Sequence, residues 1–152
     1  MSLRVAIQMD HISTVNIHGD STFRLALEAQ ARGHKLWHYN VNDLALRDGK
    51  VTTVAEPLTV RREEGNHFTL GAREEVDLGA VDVVLMRQDP PFDMNYITGT
   101  HILDHVHPET LVVNDPTSVR NAPEKLFTTL FPGLMPPTLI TSRRDALADF
   151  RK

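Results

Sequence analysis

The order of apolar and polar residues over the first forty positions predicts a strand, a loop, a helix and a second strand. Residues 3–9 form a short apolar run that predicts a buried strand. Residues 10–19 have neither a helical nor a strand period, so they predict a loop. Asp20 or Ser21 then caps a helix whose apolar positions recur at helical spacing. Because Lys35–Tyr39 predicts the next strand, this order is typical of a parallel α/β sheet.

The next forty residues predict a short β-hairpin insertion and a loop. Asp48 and Gly49 tolerate the positive φ angles of a type I′ turn, which predicts a hairpin over residues 46–51. Residues 58–61 extend this β-rich insertion. Residues 62–77 are polar and irregular, and we expect them to form a surface loop.

A strand, a turn and a helix are predicted after this insertion. Residues 81–86 are nearly all apolar and β-branched, which predicts a buried strand, and they run into a proline-stiffened turn over residues 87–93. Asp93 can cap a helix. The apolar face of that helix would carry Tyr96, Gly99, Ile102, Leu103 and Val106. With a further strand at residues 110–113, the chain predicts an open, mainly parallel α/β sheet with helices on both faces.

After Pro116 the chain changes to short pieces separated by prolines. Residues 124–131 predict a short helix, and residues 137–140 predict a strand. Ser142 is expected to cap a last helix. Its apolar positions are Ala146, Leu147 and Phe150. Because this helix pattern still continues at Lys152, we expect the sequence to be a piece of a longer protein.

Composition excludes several classes of protein. The chain has 152 residues, enough for roughly one domain. Sixteen Lys and Arg against 20 Asp and Glu give a net charge of −4, which argues against a nucleic-acid partner. No apolar run approaches the ~20 residues that span a bilayer, and no secretory signal or cysteine is present. We therefore expect a cytoplasmic protein with no membrane partner.

Polar residues follow several of the predicted strands, where open parallel sheets bind ligands. Asp10 ends the first strand, and Arg87 follows the most apolar strand, with Asp89 close behind it. The Arg87 guanidinium could bind a carboxylate or phosphate through two parallel hydrogen bonds. The alternative is an ion pair between Arg87 and Asp89, Asp93 or Asp10. Asp10 has an alternative role too, since an aspartate at this position often orders its own loop.

Other motifs give little support to a cofactor or metal site. The loop after the first strand lacks the glycines of a dinucleotide site, and no phosphate-binding P-loop occurs. His101 and His105 are four residues apart and could bind zinc, but solvent-facing histidines are the favoured interpretation. Lys125 alone indicates only a solvated lysine that pairs with a nearby acid.

Several strings of residues together resemble one family, the bacterial glutathione synthetases, which are ATP-grasp ligases. The resemblance rests on Met9-Asp10, Val15-Asn16-Ile17, Gly19-Asp20-Ser21-Thr22-Phe23, Leu85-Met86-Arg87-Gln88-Asp89-Pro90-Pro91-Phe92-Asp93, Val113-Asn114-Asp115-Pro116, and Asn121 with Glu124-Lys125-Leu126-Phe127. The resemblance extends over all 152 residues and covers the first half of such an enzyme.

The resemblance implies a fold, a reaction and a division into domains. Residues 1–120 would be a Rossmann-like, substrate-binding domain, and residues 121–152 would be a linker and the beginning of a truncated ATP-grasp domain. The family joins γ-glutamylcysteine to glycine through an acyl phosphate, using ATP with Mg²⁺ or Mn²⁺, and its members commonly form dimers or tetramers. The lid glycines and metal ligands of that pattern lie beyond Lys152. We therefore expect no catalytic or metal-binding residue within this chain, and no activity from it alone.

The resemblance also implies which residues bind substrates. Arg87 would contact the dipeptide, and Asp10, Asn16, Ser21 and Asp89 would line the same cleft. Lys125 matches an early lysine that family members place on the ATP phosphates.

Two alternatives to this function stay open from the sequence. One is another ATP-grasp peptide ligase with a different acceptor. The other is a stand-alone, receiver-like signalling module with Asp10 on a similar sheet. His11 and Arg87 stand where such a module needs acidic residues.

Overall fold

The computed structural model describes residues 1–151, which form a single sheet with helices on both sides. The strands are β1 (Arg4–Gln8), β2 (Lys35–Tyr39), β3 (Leu44–Arg47), β4 (Lys50–Val60), β5 (Phe68–Leu70), β6 (Glu74–Asp77), β7 (Val83–Met86) and β8 (Leu111–Val113). The α-helices are α1 (Ser21–Ala31), α2 (Met94–Leu103), α3 (Pro116–Asn121), α4 (Glu124–Phe127) and α5 (Arg144–Phe150).

The centre of the sheet is parallel, as the sequence predicts. Strands run in the order β3-β4-β2-β1-β7-β8, and the pairs β2–β1, β1–β7 and β7–β8 are parallel. Strand β4 is antiparallel to β2 and also pairs with β3, β5 and β6. The predicted α/β class is confirmed, and the antiparallel extension around β4 is larger than the short hairpin we expect from the sequence.

Helices cover both faces of the sheet because each face carries its own apolar core. On one face Phe23 of α1 is buried with Ile7 of β1. On the other face Leu103 of α2 is buried with Ala6, the next residue of the same strand. Neighbouring residues of a strand point to opposite faces, so the apolar run of β1 serves both cores.

Three local predictions are confirmed by the backbone. Asp20 caps α1, since its Oδ1 accepts a hydrogen bond from the Phe23 N–H at 2.6 Å. Asp93 caps α2 in the same way through the Tyr96 N–H at 3.0 Å. Asp48 has a φ of 52° and Gly49 a φ of 79°, so both central residues of the β3–β4 turn have the positive values that a type I′ turn requires.

The prediction of a surface loop over residues 62–77 is wrong, because this segment contains β5 and β6. Both strands pair with β4, which continues unbroken through the eleven residues Lys50–Val60. In β6 only Val76 is buried, while Glu74 and Glu75 are exposed. Such short strands have too few apolar residues to produce an alternating pattern, and pairing with β4 decides their conformation.

The end of the chain departs further from the sequence-based expectation. Residues 137–140 form no strand and pair with none of the described strands. The helix expected over residues 124–131 ends at Phe127 and continues as a 3₁₀ turn, Thr128–Leu130. The short helix α3 is absent from the sequence-based prediction.

The cap predicted for the last helix is wrong too. Helix α5 begins at Arg144, and Arg143, the residue before it, makes no side-chain capping bond. Thr141 accepts a hydrogen bond from the Arg143 N–H at 3.0 Å, so the chain makes a turn where Ser142 was expected to cap. The predicted continuation of this helix to Lys152 lies outside the described residues.

Candidate functional site

The carboxyl ends of β1 and β7 form one wall of a polar cleft of about 290 Å³. These strands are neighbours in the parallel centre of the sheet, so the residues that follow them lie close together. The loop of residues 10–19 and the beginning of α1 complete the cleft. Its polar lining includes Asp10, Asn16, Asp20, Thr22, Arg87 and Asp89.

Arg87 is held in this cleft by two hydroxyl groups at the start of α1. Its Nε donates to Thr22 Oγ1 at 3.0 Å, and its Nη2 donates to Ser21 Oγ at 2.6 Å. Thr22 is buried, and the Arg87 N–H donates to the Gln8 carbonyl at 2.8 Å. Both the backbone and the guanidinium of Arg87 are therefore fixed.

The alternative role of Arg87, an ion pair with a nearby aspartate, is not formed. Among the described ion pairs of residues 1–151, none includes Arg87. The carboxylate oxygens of Asp10, Asp89 and Asp93 are therefore more than 4.0 Å from its guanidinium nitrogens. Hydroxyl oxygens carry no charge, so the positive charge of Arg87 is oriented without being neutralised. This arrangement favours an anionic ligand in the cleft.

The Asp10 carboxylate orders the neighbouring turn after β7, and not its own loop as the alternative states. Its Oδ2 accepts a hydrogen bond from the Asp89 backbone N–H at 2.9 Å. This bond ties the turn that carries Arg87 to the end of β1. Asp10 and Asp89 are both exposed at the cleft, so their carboxylates also face solvent there.

The loop between β1 and α1 turns twice before the helix starts. Ile12–Thr14 is a 3₁₀ turn in which Ile12 is buried against the core. Asn16 then closes a second turn, since its Oδ1 accepts from the His18 N–H at 3.0 Å. Asn16 is exposed and lines the cleft, where its amide nitrogen can donate to a ligand.

A buried polar chain that the sequence analysis missed supports the Arg87 turn from below. Tyr39 donates to Gln8 Oε1 at 3.1 Å, and Gln8 Nε2 donates to Gln88 Oε1. Tyr39 and Gln8 are almost completely buried, and burial raises the pKa of the Tyr39 phenol. A glutamine within an apolar strand was the available signal, because a buried amide needs partners.

Comparison with known proteins shows which family the chain belongs to. Residues 3–120 match the family described as prokaryotic glutathione synthetase, N-terminal domain. This chain belongs to the prokaryotic glutathione synthetase family. The resemblance stated from the motifs is therefore confirmed, and membership of this family argues against the receiver-like alternative.

Curated relatives from several bacteria share the same similarity. The chain is 60% identical to the glutathione synthetases of Brucella melitensis and Mesorhizobium japonicum over its full 152 residues, which are 49% of each relative. It is 41% identical to that of Yersinia pestis over 151 residues, 99% of this chain and 47% of that protein. The chain thus spans about half the length of the glutathione synthetases that it matches.

Lys125 does not lie in the Arg87 cleft of this glutathione synthetase domain. It lines two other grooves, one of about 430 Å³ with Gln88 and Tyr96, and one of about 880 Å³ with Phe131 and Met135. Burial raises the pKa of the Tyr96 phenol in the first of these grooves. The five residues predicted to line the dipeptide cleft are near one another, and the residue predicted for ATP is separate from them.

Three further observations concern possible metal and membrane binding by the described residues. Residues 1–151 contain no group of three His, Cys, Asp or Glu side chains that could hold a metal ion. His101 is exposed, and its Nδ1 lies 3.8 Å from Asp104 Oδ2. Across the same residues, no helix is long and apolar enough to cross a membrane.

Proposed function

We propose that this chain is the dipeptide-binding, N-terminal part of a glutathione synthetase. The full-length protein joins γ-glutamylcysteine to glycine, using ATP to form an acyl phosphate on the dipeptide. Similarity of 57–60% identity to several curated glutathione synthetases supports this activity. The observation that carries the proposal is the Arg87 guanidinium, which two hydroxyls hold at the edge of a polar cleft without neutralising it.

The cleft provides groups that suit both ends of this dipeptide. Arg87 binds one of its two carboxylates, and the Ser21 hydroxyl, which accepts from Arg87, keeps its own proton to donate to the same group. The Asn16 amide donates to a second oxygen. Asp10 and Asp89 face the α-ammonium group of the γ-glutamyl moiety, where their negative charges are favourable.

The same proposal gives the two parts of the chain different roles. Residues 1–120 form the substrate-binding domain, which the limits of the family match support. Residues 121–152 are a linker and the start of an ATP-grasp domain, in which Lys125 contacts the ATP phosphates. Mg²⁺ or Mn²⁺ neutralises those phosphates when bound, and we assign no metal ligand to the described residues.

We also propose that the full-length protein is a cytoplasmic homo-oligomer, a dimer or a tetramer. Large apolar side chains are exposed along the last part of the described chain, and these support contact with further protein. They include Leu126, Leu130, Leu134, Ile140, Leu147 and Phe150.

The test is ligation by the purified full-length protein. With ATP, Mg²⁺, γ-glutamylcysteine and glycine, we expect glutathione and ADP to form in equal amounts. Replacing glycine by other amino acids tests the alternative of a ligase with a different acceptor. Turnover that prefers another acceptor, or that does not need γ-glutamylcysteine, would contradict the proposal.

A further inference from the structure

Two buried histidines hold the loop that lines the cleft. His38 of β2 places its Nε2 3.2 Å from the carbonyl oxygen of Asp10, and His67 places its Nε2 2.9 Å from the carbonyl oxygen of Ile12. A carbonyl oxygen only accepts, so both imidazoles carry their proton on Nε2 and donate it. The two side chains are 3% and 9% exposed, which makes these bonds part of the interior.

The His67 ring is fixed between elements on two sides of the loop. It meets Phe23 of α1 edge-on with ring centres 5.8 Å apart, and Phe68 of β5 at 4.9 Å. Its own carbonyl accepts from the Arg61 N–H at 2.9 Å, which closes the turn between β4 and β5. The antiparallel extension therefore presents a rigid donor to a loop that lies fifty-five residues earlier in the chain.

His38 is held in the same tautomer by its surroundings. Its Nδ1 is buried and has no hydrogen-bond partner among the described residues, and Glu56 Oε2 lies 3.8 Å away. Burial lowers the pKa of His38, which keeps the imidazole neutral. The neutral ring donates from Nε2 to the Asp10 carbonyl, and the His11 ring meets it edge-on with ring centres 5.6 Å apart.

The two carbonyls that these histidines hold belong to residues that shape the cleft. Asp10 is the residue whose carboxylate binds the Asp89 N–H, two positions after Arg87. Ile12 begins the 3₁₀ turn that ends at Thr14, which lines the cleft. The His38 bond therefore holds a residue that lines the cleft, and the His67 bond holds a residue two positions before one.

We propose that His38 and His67 are positioning residues of the dipeptide site. They fix the loop of residues 10–19 so that Asp10 and Asn16 face the substrate in one conformation. The antiparallel extension around β4 positions His67 for this role. This inference rests on the proposed function. If the loop is mobile in the free enzyme, ordering it on binding costs free energy, and γ-glutamylcysteine binds more weakly. The groove beside Lys125 is unaffected.

The first test is steady-state kinetics of His67→Leu in the full-length protein. Loss of one buried hydrogen bond should raise KM for γ-glutamylcysteine about three- to tenfold, with kcat and KM for ATP within about twofold of wild type. His67→Gln should restore most of the dipeptide KM, since its amide nitrogen occupies the place of Nε2. A role in packing alone would give equal KM values for the Leu and Gln variants, which would overturn the proposal.

His34→Leu is the matched control. His34 also binds a backbone group, accepting from the Leu3 N–H at 3.2 Å, but at the opposite end of β1 from the cleft. We expect the dipeptide KM of this variant to equal that of wild type. A rise as large as that of His67→Leu would show that any lost histidine bond has this effect, and would overturn the assignment.

The second test does not depend on ligase activity. Hydrogen exchange should accelerate over residues 11–19 in His67→Leu and stay unchanged in Val83–Met86, with His67→Gln close to wild type. Unchanged exchange in the loop would overturn the inference, whereas a wild-type protein that makes no glutathione would overturn only the proposed function. If His67→Leu melts below the assay temperature, His67→Asn, whose shorter amide does not reach Ile12, takes its place in both tests.

Discussion

The binding role that we propose for Arg87 depends on the kind of group that holds its guanidinium. A carboxylate partner would fix the guanidinium equally well but would cancel its charge. Ser21 and Thr22 fix it through neutral oxygens, and Thr22 is buried at the first turn of α1. The site therefore presents an oriented guanidinium that makes no ion pair, and such a group can bind a carboxylate of a ligand.

Arg87→Ala in the full-length protein tests this role. Hydrogen bonds to charged groups contribute about 1.5–3 kcal/mol each, so KM for γ-glutamylcysteine should rise roughly ten- to a hundredfold. KM for ATP should change little. Arg87→Lys should restore little, because an ammonium group cannot make the two parallel bonds of a guanidinium.

Arg32→Ala is the matched control for this prediction, because Arg32 is exposed at the other end of α1 and pairs with Glu28 at 2.7 Å. A thermal melt of each variant separates binding from stability. An Arg87→Ala protein that melts early yet keeps its dipeptide KM and kcat would show that Arg87 has only a structural role.

The sequence predicts some of the cleft and misses the rest for a clear physical reason. Asp10 and Arg87 could be placed because each follows an apolar strand, and strand ends share an edge in a parallel sheet. His38 and His67 could not, because a histidine in a short alternating segment gives no sign of which carbonyl it will meet. Their partners are 28 and 55 residues away, so only the assembled sheet reveals them.

At the scale of elements, the local sequence pattern predicts an element correctly where that element has its own apolar face. It fails where pairing with a neighbouring strand decides the conformation. Strand β1, alternate residues of β7 and one face of helix α1 are buried, and their own residues predict all three elements. Strand β6 exists because β4 offers it hydrogen bonds, although most of its side chains are polar. Residues 137–140 show the converse case, since their apolar pattern finds no partner strand in the described structure.

Helix α3 should lose its cap in acid. Hydrogen bonds from the Ser118 side chain and N–H, the latter at 2.7 Å, together with nearby His107 and Arg120, hold the pKa of Asp115 below its usual value. A carboxyl whose folded pKa is lowered contributes stability above its unfolded pKa and loses it as the pH falls through the folded value. Amide exchange in α3 should therefore accelerate below about pH 4.

Asp115→Asn is the control for this acid dependence. Asparagine keeps the acceptor that caps the helix but does not ionise. Its α3 exchange, corrected for the intrinsic rate, should be nearly independent of pH over the same range. Equal acid sensitivity in wild type and Asp115→Asn would show that another group is responsible.

At the scale of the whole molecule, the cleft that contains Arg87 is separate from the grooves beside Lys125. The chain also spans about half the length of the glutathione synthetases that it matches. We expect the purified 152-residue chain to fold without forming glutathione from γ-glutamylcysteine, glycine and ATP. The full-length protein is the positive control, and glutathione formation by the 152-residue chain at a comparable rate would contradict this prediction.

The central position of β1 has a consequence for how the protein is made. This strand precedes both of its neighbours in the chain, since it pairs on one side with Lys35–Tyr39 and on the other with Val83–Met86. While a ribosome adds the residues between, one edge of the nascent strand stays open, and an open apolar edge is a template for aggregation. The cleft cannot form before Asp89 is synthesised, because the bond from Asp89 to Asp10 spans 79 residues. The cleft therefore forms only after β7, the second neighbour of the strand on which it is built, has been synthesised.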